Sequence, residues 1–182
     1  MPADEHVREH PARENPFTAE DVLAILRERR WLTGDPSPEH LLFCARAASM
    51  LGQFATGRMG LSELLTLVFN YDAALILQSS DTHAVLARYA ARDVIRHLAA
   101  ELLEPVPFDS DRFKQVVTKL KGDLELRGRD LFHPIRLVLT GRAGEGELDR
   151  VVLLLDEASA LPFAVRVKPV RERMIEFCAA LE

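Results

Sequence analysis

Apolar residues recur at every third or fourth position along most of this chain, the spacing that places them on one face of an α-helix. Stretches rich in Gly or Pro interrupt the pattern, and residues 159–169 read as extended. The pattern predicts helices over about 18–30, 38–54, 61–69, 71–78, 80–103, 110–126, 148–155 and 170–181. We therefore predict an all-α fold, a multi-helix bundle.

Two of these helices begin with clear capping signals. Thr18 is followed three residues later by Asp21, so each residue can satisfy a backbone N–H of the other. Ser37 and the proline after it are typical of a helix start. Residues 133–140 are ambiguous, because Pro134 favours a first helical turn while the β-branched content favours a strand.

Composition and breaks in the pattern divide the chain into four segments. They are an N-terminal arm (1–16), a helical subdomain (17–107), a second helical subdomain (108–158) and a C-terminal extension with the last helix (159–182). The sole tryptophan, Trp31, follows the first helix directly. We expect its ring to pack against the helix over 38–54.

The overall composition excludes several classes of protein. Hydrophobic residues make up 48% of the 182 residues and charged residues 28%, which excludes a wholly disordered chain. No apolar stretch approaches the roughly 20 residues that cross a bilayer, and the N-terminus lacks the apolar centre of a signal peptide. We expect a cytoplasmic protein with no membrane partner. Cys44 and Cys178 are too few for a disulfide framework, and we expect buried thiols.

Charge is unevenly distributed along the chain. The net charge is −5, so bulk charge does not indicate a general nucleic-acid binder, and we expect no DNA partner. Residues 112–142, by contrast, hold eight Lys or Arg and three Asp or Glu, a net charge of +5. A basic segment in an acidic chain indicates a local anionic partner.

Candidate motifs for chemistry are weak. His6 and His10 have the H-x-x-E-H spacing of a zinc peptidase, but prolines flank them and no third ligand can be identified. Residues 141–146 are glycine-rich, but no Gly-Lys-Ser/Thr follows, and Glu145 and Glu147 would repel a triphosphate. We predict no metal, no cofactor and no catalytic residue.

Three arginines recur every four residues in the long stretch over 80–103. Arg88, Arg92 and Arg96 would stand roughly 6 Å apart on one helical face, a spacing that could follow successive phosphates. The alternative is a solvated face opposite a core stripe that includes Tyr89.

The segment 128–142 reads Gly-Arg-Asp-Leu-Phe-His-Pro-Ile-Arg-Leu-Val-Leu-Thr-Gly-Arg. It resembles the C-terminal anticodon-binding region of bacterial glutamyl-tRNA synthetases, class I aminoacyl-tRNA synthetases in which the aromatic residue, Pro, Arg and Thr-Gly keep this spacing. Similarity to the preceding helical subdomain of that family extends over 57–71 and 108–121. The resemblance covers roughly residues 40–158 and implies a helical anticodon-binding cage with tRNA as its partner.

The resemblance also implies roles for individual residues. Arg136 matches the position that contacts an anticodon base. Leu148 and the loop over 142–146, which begins with Arg142, match positions that line the anticodon pocket, and Arg58 matches an arginine of the preceding helical subdomain. An arginine fork can read two atoms of an unstacked base. The basic segment would contribute phosphate contacts from Lys119, Lys121, Arg127 and Arg129.

Each of these roles has a structural alternative. Arg136 could form an internal ion pair with Asp130 or Asp149. Leu148 could be a core residue, and Arg58 could be a surface charge. The sequence leaves these alternatives open.

Departures from the family limit the function that is implied. The sequence has no Rossmann catalytic domain and neither of the synthetase signature motifs, and Glu145-Gly146-Glu147 replaces the family's Gly-Pro. We predict a stand-alone tRNA-binding module of translation that does not itself aminoacylate. Two alternatives remain: a protein-interaction or regulatory domain that has lost RNA binding, which the acidic total favours, and the anticodon-binding part of a split glutamate–tRNA ligase. Both involve a partner protein.

Overall fold

The computed structural model describes residues 14–182, and this part of the chain is helical, without strands. The prediction of an all-α bundle is confirmed. The helices are α1 (Ala19–Glu28), α2 (Pro38–Leu51), α3 (Gly57–Phe69), α4 (Ala73–Ile76), α5 (Ser80–Leu86), α6 (Ala91–Leu102), α7 (Ser110–Leu124), α8 (Arg129–Thr140), α9 (Gly146–Ser159) and α10 (Val170–Leu181).

The capping signals read from the sequence are present. The Thr18 backbone N–H donates to the Asp21 carboxylate at 2.8 Å, which closes a capping box at the start of α1. Ser37 Oγ accepts the backbone N–H of His40 at 3.2 Å at the start of α2. Asp109 caps α7 in the same way. These local bonds satisfy backbone groups that the helices cannot satisfy themselves.

Several helix bounds differ from the predicted ones. Helix α3 begins at Gly57, four residues before the expected start, and residues 71–78 contain only the single turn of α4. Helix α9 is longer than expected at both ends. Its first turn holds Glu147 and Asp149, and carboxylates are favourable near the positive end of the helix dipole.

The predicted continuous helix over 80–103 is wrong, because the chain breaks between α5 and α6. Ala90 adopts a left-handed conformation with φ of 62°, which stops α5 and restarts the chain as α6. Tyr89 lies in this break with 87% of its surface exposed, so it is not a core residue. The break lets Val85 of α5 and Val94 of α6 both face the core, although one straight helix could not align them.

The same break disperses the predicted stripe of arginines. Arg88 lies between the two helices and faces His133 of α8, while Arg96 pairs with Asp93 on the outside of α6. The three arginines therefore do not form one face of a helix.

The ambiguous segment over 133–140 is helical. It belongs to α8, which is almost wholly buried from Leu131 to Thr140 and carries Pro134 in its interior. Gly141 ends the helix with φ of 85°, a conformation that glycine adopts without strain. A Cβ at Gly141 would also lie 2.9 Å from the Ile76 side chain, so any other residue would require that side chain to shift.

Aromatic packing joins the C-terminal extension to the first helices. Trp31 is buried, and its ring stacks on Phe69 of α3 at 4.5 Å, a neighbour that the sequence did not indicate. Phe163 of the extension meets the edge of Phe69 at 4.9 Å, and the backbone N–H of Ala164 donates to the Trp31 carbonyl. The extension is therefore part of the shared core.

A second connection is made by Arg173 of α10, whose side chain is completely buried. Its Nη1 donates to the carbonyls of Leu67 at 2.8 Å and Leu139 at 3.0 Å, and its Nη2 donates to Val68 at 2.6 Å. These carbonyls belong to the last turns of α3 and α8, where no intrahelical donor remains. The guanidinium thus fixes the ends of two helices relative to each other.

Tyr71 completes this junction. The Arg173 guanidinium lies 4.8 Å from the centre of the Tyr71 ring, and the phenol hydroxyl donates to the Val138 carbonyl. Burial without a carboxylate partner lowers the pKa of Arg173 to about 10, while burial raises the pKa of Tyr71. Both groups keep their ordinary charge at neutral pH. The junction holds the end of α8, and with it the loop that follows.

Candidate nucleic-acid interface

The loop between α8 and α9, residues 141–145, lies where three surface clefts meet. A central cleft of about 630 Å³ lies beside α5 and α8, and a rear cleft of about 530 Å³ lies beside α4. A smaller outer cleft of about 350 Å³ lies beside the start of α3. Arg142 lines all three clefts.

The backbone at Arg142 is fixed, while its side chain is exposed. The Arg142 N–H donates to the hydroxyl of Thr140 at 3.2 Å, and that hydroxyl bonds back to the Arg136 carbonyl at 2.8 Å. Within residues 14–182 the Arg142 guanidinium has no hydrogen-bond or ion-pair partner. A fixed loop therefore presents an uncompensated charge at the meeting point of the clefts.

Arg136 lies beneath the same loop and is committed to internal contacts. Its Nε and Nη2 donate to the two carboxylate oxygens of Asp149, each at 2.9 Å, and its Nη1 donates to the Gly144 carbonyl at 2.9 Å. Its guanidinium also lies 4.8 Å from the Phe132 ring. The alternative ion pair with Asp149 is therefore the observed arrangement, and the fork that would read a base is already occupied.

Leu148 is a buried residue on which the loop packs. It is 2% exposed, and a Cβ on Gly144 would come within 2.9 Å of its Cδ1 atom. The loop therefore rests directly on this side chain. Leu148 and Arg136 together support the loop from below, and Arg142 is the one of the three that a ligand can reach.

The walls of the central cleft combine apolar and polar groups. Leu64, Val85 and Leu137 line it together with Ser79 and Thr82. Five charged or titratable side chains, each from a different helix or loop, also line it: Asp81, Arg88, His133, Arg142 and Glu147. Apolar walls with a few convergent polar groups are typical of a ligand site.

The outer cleft carries exposed apolar side chains. Phe54 is 41% exposed and Met59 is 77% exposed, and both line this cleft with Leu64 and Arg142. The guanidinium of Arg150 lies 6.0 Å from the Phe54 ring. Exposed rings beside arginines are the groups on which unstacked bases pack in single-stranded nucleic-acid sites.

The structure places the remaining predicted residues around the periphery. Arg58 is exposed and forms an ion pair with Glu28 of α1 at 2.6 Å, which agrees with the alternative that it is a surface charge. Arg129 lies 3.9 Å from Glu145 of the loop and so borders the site. The structure thus brings Arg142, Leu148, Arg136 and Arg129 together and leaves Arg58 apart.

The other basic residues follow α7 and its C-terminal end. Lys119 is exposed and hydrogen bonds to the Glu101 carboxylate, which raises the pKa of the ammonium. Lys121 and Arg127 are exposed, and neither has an ion pair in the part of the chain that the structure describes. None of these three residues lines one of the three clefts, and we refer to Lys121 and Arg127 as the basic flank.

Sequence reasoning missed four residues of this surface. Phe54 was included only as the end of the predicted helix over 38–54, and Met59 received no role. Arg88 was placed in a helical stripe, and His133 was treated only as part of a motif. Their grouping depends on the break before α6 and on the end of α2, which periodicity alone does not reveal.

Other candidate sites find no support in the described residues. No group of three His, Cys, Asp or Glu in residues 14–182 could hold a metal ion, and the pair His6 and His10 lies outside that range. Cys44 is buried as expected, whereas Cys178 is only half-buried. Burial raises the pKa of Cys44 to about 11 and also raises that of Cys178. None of the described helices is long and apolar enough to cross a membrane.

Comparison with known proteins finds a partial similarity to glutamate–tRNA ligases. The chain is 35% identical over 89 residues to glutamate–tRNA ligase 2 of Syntrophus aciditrophicus (strain SB), which is 48% of this chain and 16% of that protein. It is 38% identical over 64 residues to glutamate–tRNA ligase 1 of Brucella ovis, 35% of this chain and 14% of that protein, and equally to that of Brucella canis. The chain therefore matches about one seventh of the length of these relatives.

No protein-family model matches the chain. No solved structure matches it either. The similarity identifies a region related to glutamate–tRNA ligases within the chain.

Proposed function

We propose that this chain is a tRNA-binding module related to glutamate–tRNA ligases, which binds the unpaired loop of a tRNA and does not itself aminoacylate. The observation that carries the proposal is the position of Arg142, an exposed cation without a partner in the described residues at the junction of three clefts. The partial similarity to glutamate–tRNA ligases supports tRNA as the nucleic acid.

The clefts suit unpaired nucleotides better than a duplex. A cleft with apolar walls can enclose a base only after that base has left its stack, which loop nucleotides do at low cost. Phe54 and Met59 supply apolar surface for stacking at one end, and Arg142 supplies a charge for the phosphate that follows. The hydroxyls of Ser79 and Thr82 supply hydrogen bonds inside the central cleft.

The basic flank would then position the RNA without reading its sequence. Lys121 and Arg127 lie on the α7 side, and Arg129 connects that side to the loop through Glu145. Phosphate contacts fix register and orientation, whereas base contacts supply specificity. The module therefore has separate surfaces for the two tasks.

A second function is favoured by the carboxylates of the same surface. Asp81 and Glu147 line the central cleft, and Glu63 lines the outer one. These groups repel phosphates but accept hydrogen bonds from arginine or lysine of a protein. A protein-interaction or regulatory domain, or the anticodon-binding part of a split ligase, would use the clefts for a partner chain.

Fluorescence anisotropy with labelled anticodon stem-loop RNAs and with total tRNA tests the proposal. Wild-type protein should bind with an affinity that falls steeply with salt, because phosphate contacts release counterions. Arg142→Gln should weaken binding by about tenfold, since it removes a charged contact. Arg92→Gln, an exposed arginine that lines a different cleft, is the matched control and should change little.

Three results would contradict the proposal or one part of it. Absence of salt-sensitive RNA binding by the wild type would favour the protein-interaction function. Charging of tRNA with glutamate by this chain alone would contradict the non-catalytic part. Equal effects of Arg142→Gln and Arg92→Gln would move the RNA site away from the three clefts.

A further inference from the structure

Arg88 and His133 form an isolated pair in the wall of the central cleft. Arg88 Nη1 lies 2.9 Å from His133 Nδ1, and the two residues come from the α5–α6 break and from α8. An arginine side chain only donates hydrogen bonds. Nδ1 must therefore be the acceptor, and the ring is neutral with its hydrogen on Nε2.

This tautomer leaves one buried donor without a protein partner. His133 is 8% exposed, and its Nε2 atom has no hydrogen-bond partner among the described residues. A buried N–H without an acceptor lowers the stability of the folded protein, because it has lost its bond to water. Proteins retain such groups mainly where a ligand or water satisfies them. His133 is also one of the residues that line the cleft, so the buried, unpaired donor belongs to a residue of the candidate site.

The neighbouring groups indicate what the cleft would accept. The hydroxyls of Ser79 and Thr82 can donate or accept, and Asp81 and Glu147 accept only. A nucleobase edge combines ring nitrogens and carbonyl oxygens with exocyclic amines, so it needs both kinds of partner. The volume of about 630 Å³ lies within the range of small-molecule sites and is ample for one nucleotide.

We infer that the central cleft takes one unstacked base, and that His133 determines its identity by donating from Nε2 to a carbonyl oxygen or ring nitrogen of that base. Arg88 is the positioning residue, because it holds His133 in the tautomer that donates from Nε2. This inference rests on the proposed RNA-binding function and adds a specificity-determining pair that does not include Arg136.

The pair makes a distinctive prediction for pH. Burial and the nearby Arg88 lower the pKa of His133, so the ring stays neutral at physiological pH. Protonation would turn Nδ1 into a donor facing another donor and break the contact with Arg88. Groups from α6 and α10 do not line this part of the described cleft. The charged groups that face His133 or share its cleft are Arg88, Arg129, Arg136, Arg142, Asp81, Glu145 and Glu147.

Lowering the pH therefore distinguishes a base-reading role of His133 from a role as one more positive charge. If His133 only added charge, RNA affinity would rise when the pH falls from about 7.5 to 5.5. If neutral His133 reads a base, discrimination between RNA loops should fall over that range, while the salt-dependent part of the affinity is retained. The first expectation is a rise in affinity for every RNA, and the second is a fall in discrimination between RNAs.

Two amide variants separate the two sides of the ring. In His133→Gln the amide nitrogen lies near the position of Nε2, so the donor toward the cleft is kept. In His133→Asn the amide oxygen lies near the position of Nδ1, so only the acceptor for Arg88 is kept. We expect His133→Asn to lose about three- to tenfold in affinity for the preferred stem-loop RNA, with His133→Gln losing less.

Nitrogen-15 NMR of the histidine rings gives a readout that does not depend on activity. The free protein should show His133 as the Nε2–H tautomer, and the preferred RNA should shift its Nε2 resonance. Arg88→Met should release the tautomer preference and reduce discrimination, while Arg92→Gln should do neither.

The outcomes distinguish the two levels of the proposal. If the wild type binds no RNA, the proposed function and this inference both fall. If the wild type binds RNA but His133→Asn and His133→Gln discriminate as well as it does, only the inference is overturned. An Nδ1–H tautomer in the free protein would also overturn it.

Discussion

Two arginine-centred regions of this protein use the same side chain in opposite ways. At the junction of α3, α8 and α10, Arg173 is completely buried and donates to four backbone carbonyls. At the loop between α8 and α9, Arg142 is exposed and has no partner in residues 14–182. The first arginine satisfies groups of the protein itself, and the second is free to satisfy groups of a ligand.

Arg136 shows why this comparison matters for assigning function. It lies six residues before Arg142 and belongs to the motif that resembles the synthetases, yet its fork is bound to Asp149 and to the loop. By its contacts it resembles Arg173 more than Arg142. The number of internal partners therefore separates an arginine that builds a site from one that a ligand can contact.

The largest effect should come from removing the buried arginine. Arg173→Met leaves carbonyls at the ends of α3 and α8 without donors, and we expect a loss of about 3–5 kcal/mol in the free energy of unfolding. Urea denaturation followed by circular dichroism measures it. Arg92→Gln is the exposed control and should stay within about 0.5 kcal/mol. A similar small change for Arg173→Met would remove the contrast between the two regions.

An intermediate effect is expected for Arg136→Lys. Lysine keeps the charge but cannot bond both oxygens of Asp149 and the Gly144 carbonyl at once, so we expect a loss of about 1–3 kcal/mol in stability. The preference between two RNA stem-loops should be unchanged. Melting curves and binding curves for the same variant measure both. Changed preference with unchanged stability would return Arg136 to the base-reading role.

The pH dependence of stability gives a smaller effect. The pKa of His133 is lower in the folded protein than its usual value, so the unfolded chain binds more protons as the pH falls below about 6.5. Wild-type stability should therefore fall in that range, and the fall should be smaller for His133→Gln, which has no titrating ring. Denaturation at several pH values tests the sign. Parallel curves would show that His133 is not held neutral.

The smallest effect on stability belongs to the basic flank. Lys121 and Arg127 are exposed and have no ion pair in the described chain, so changing both to Ala should alter stability by less than about 0.5 kcal/mol. We expect a lower RNA affinity and a shallower salt dependence, because two phosphate contacts are removed. The double variant Arg92→Ala and Arg96→Ala is the control for charge alone. Equal losses from the two pairs would deny the flank a specific role.

Local patterns in the sequence are sufficient to predict the all-α fold and most of the helices, because helix formation depends on neighbouring residues. The apolar period of α10 predicted its bounds correctly, and Thr18 and Ser37 marked helix starts through bonds to residues three positions away. The basic segment and the synthetase-like motif could also be recognised in the sequence, since both consist of neighbouring residues.

Which of those residues a ligand can reach depends on how distant parts of the chain pack together, and the sequence pattern does not show this. Arg136 and Arg142 are equally basic in the sequence, and the difference between them depends on Asp149 folding back from α9. Trp31 stacks on Phe69, and Arg88 lies beside His133, although these partners are 38 and 45 positions apart in the chain. Pairing over such distances follows from how the helices pack, and helical periodicity carries no information about it.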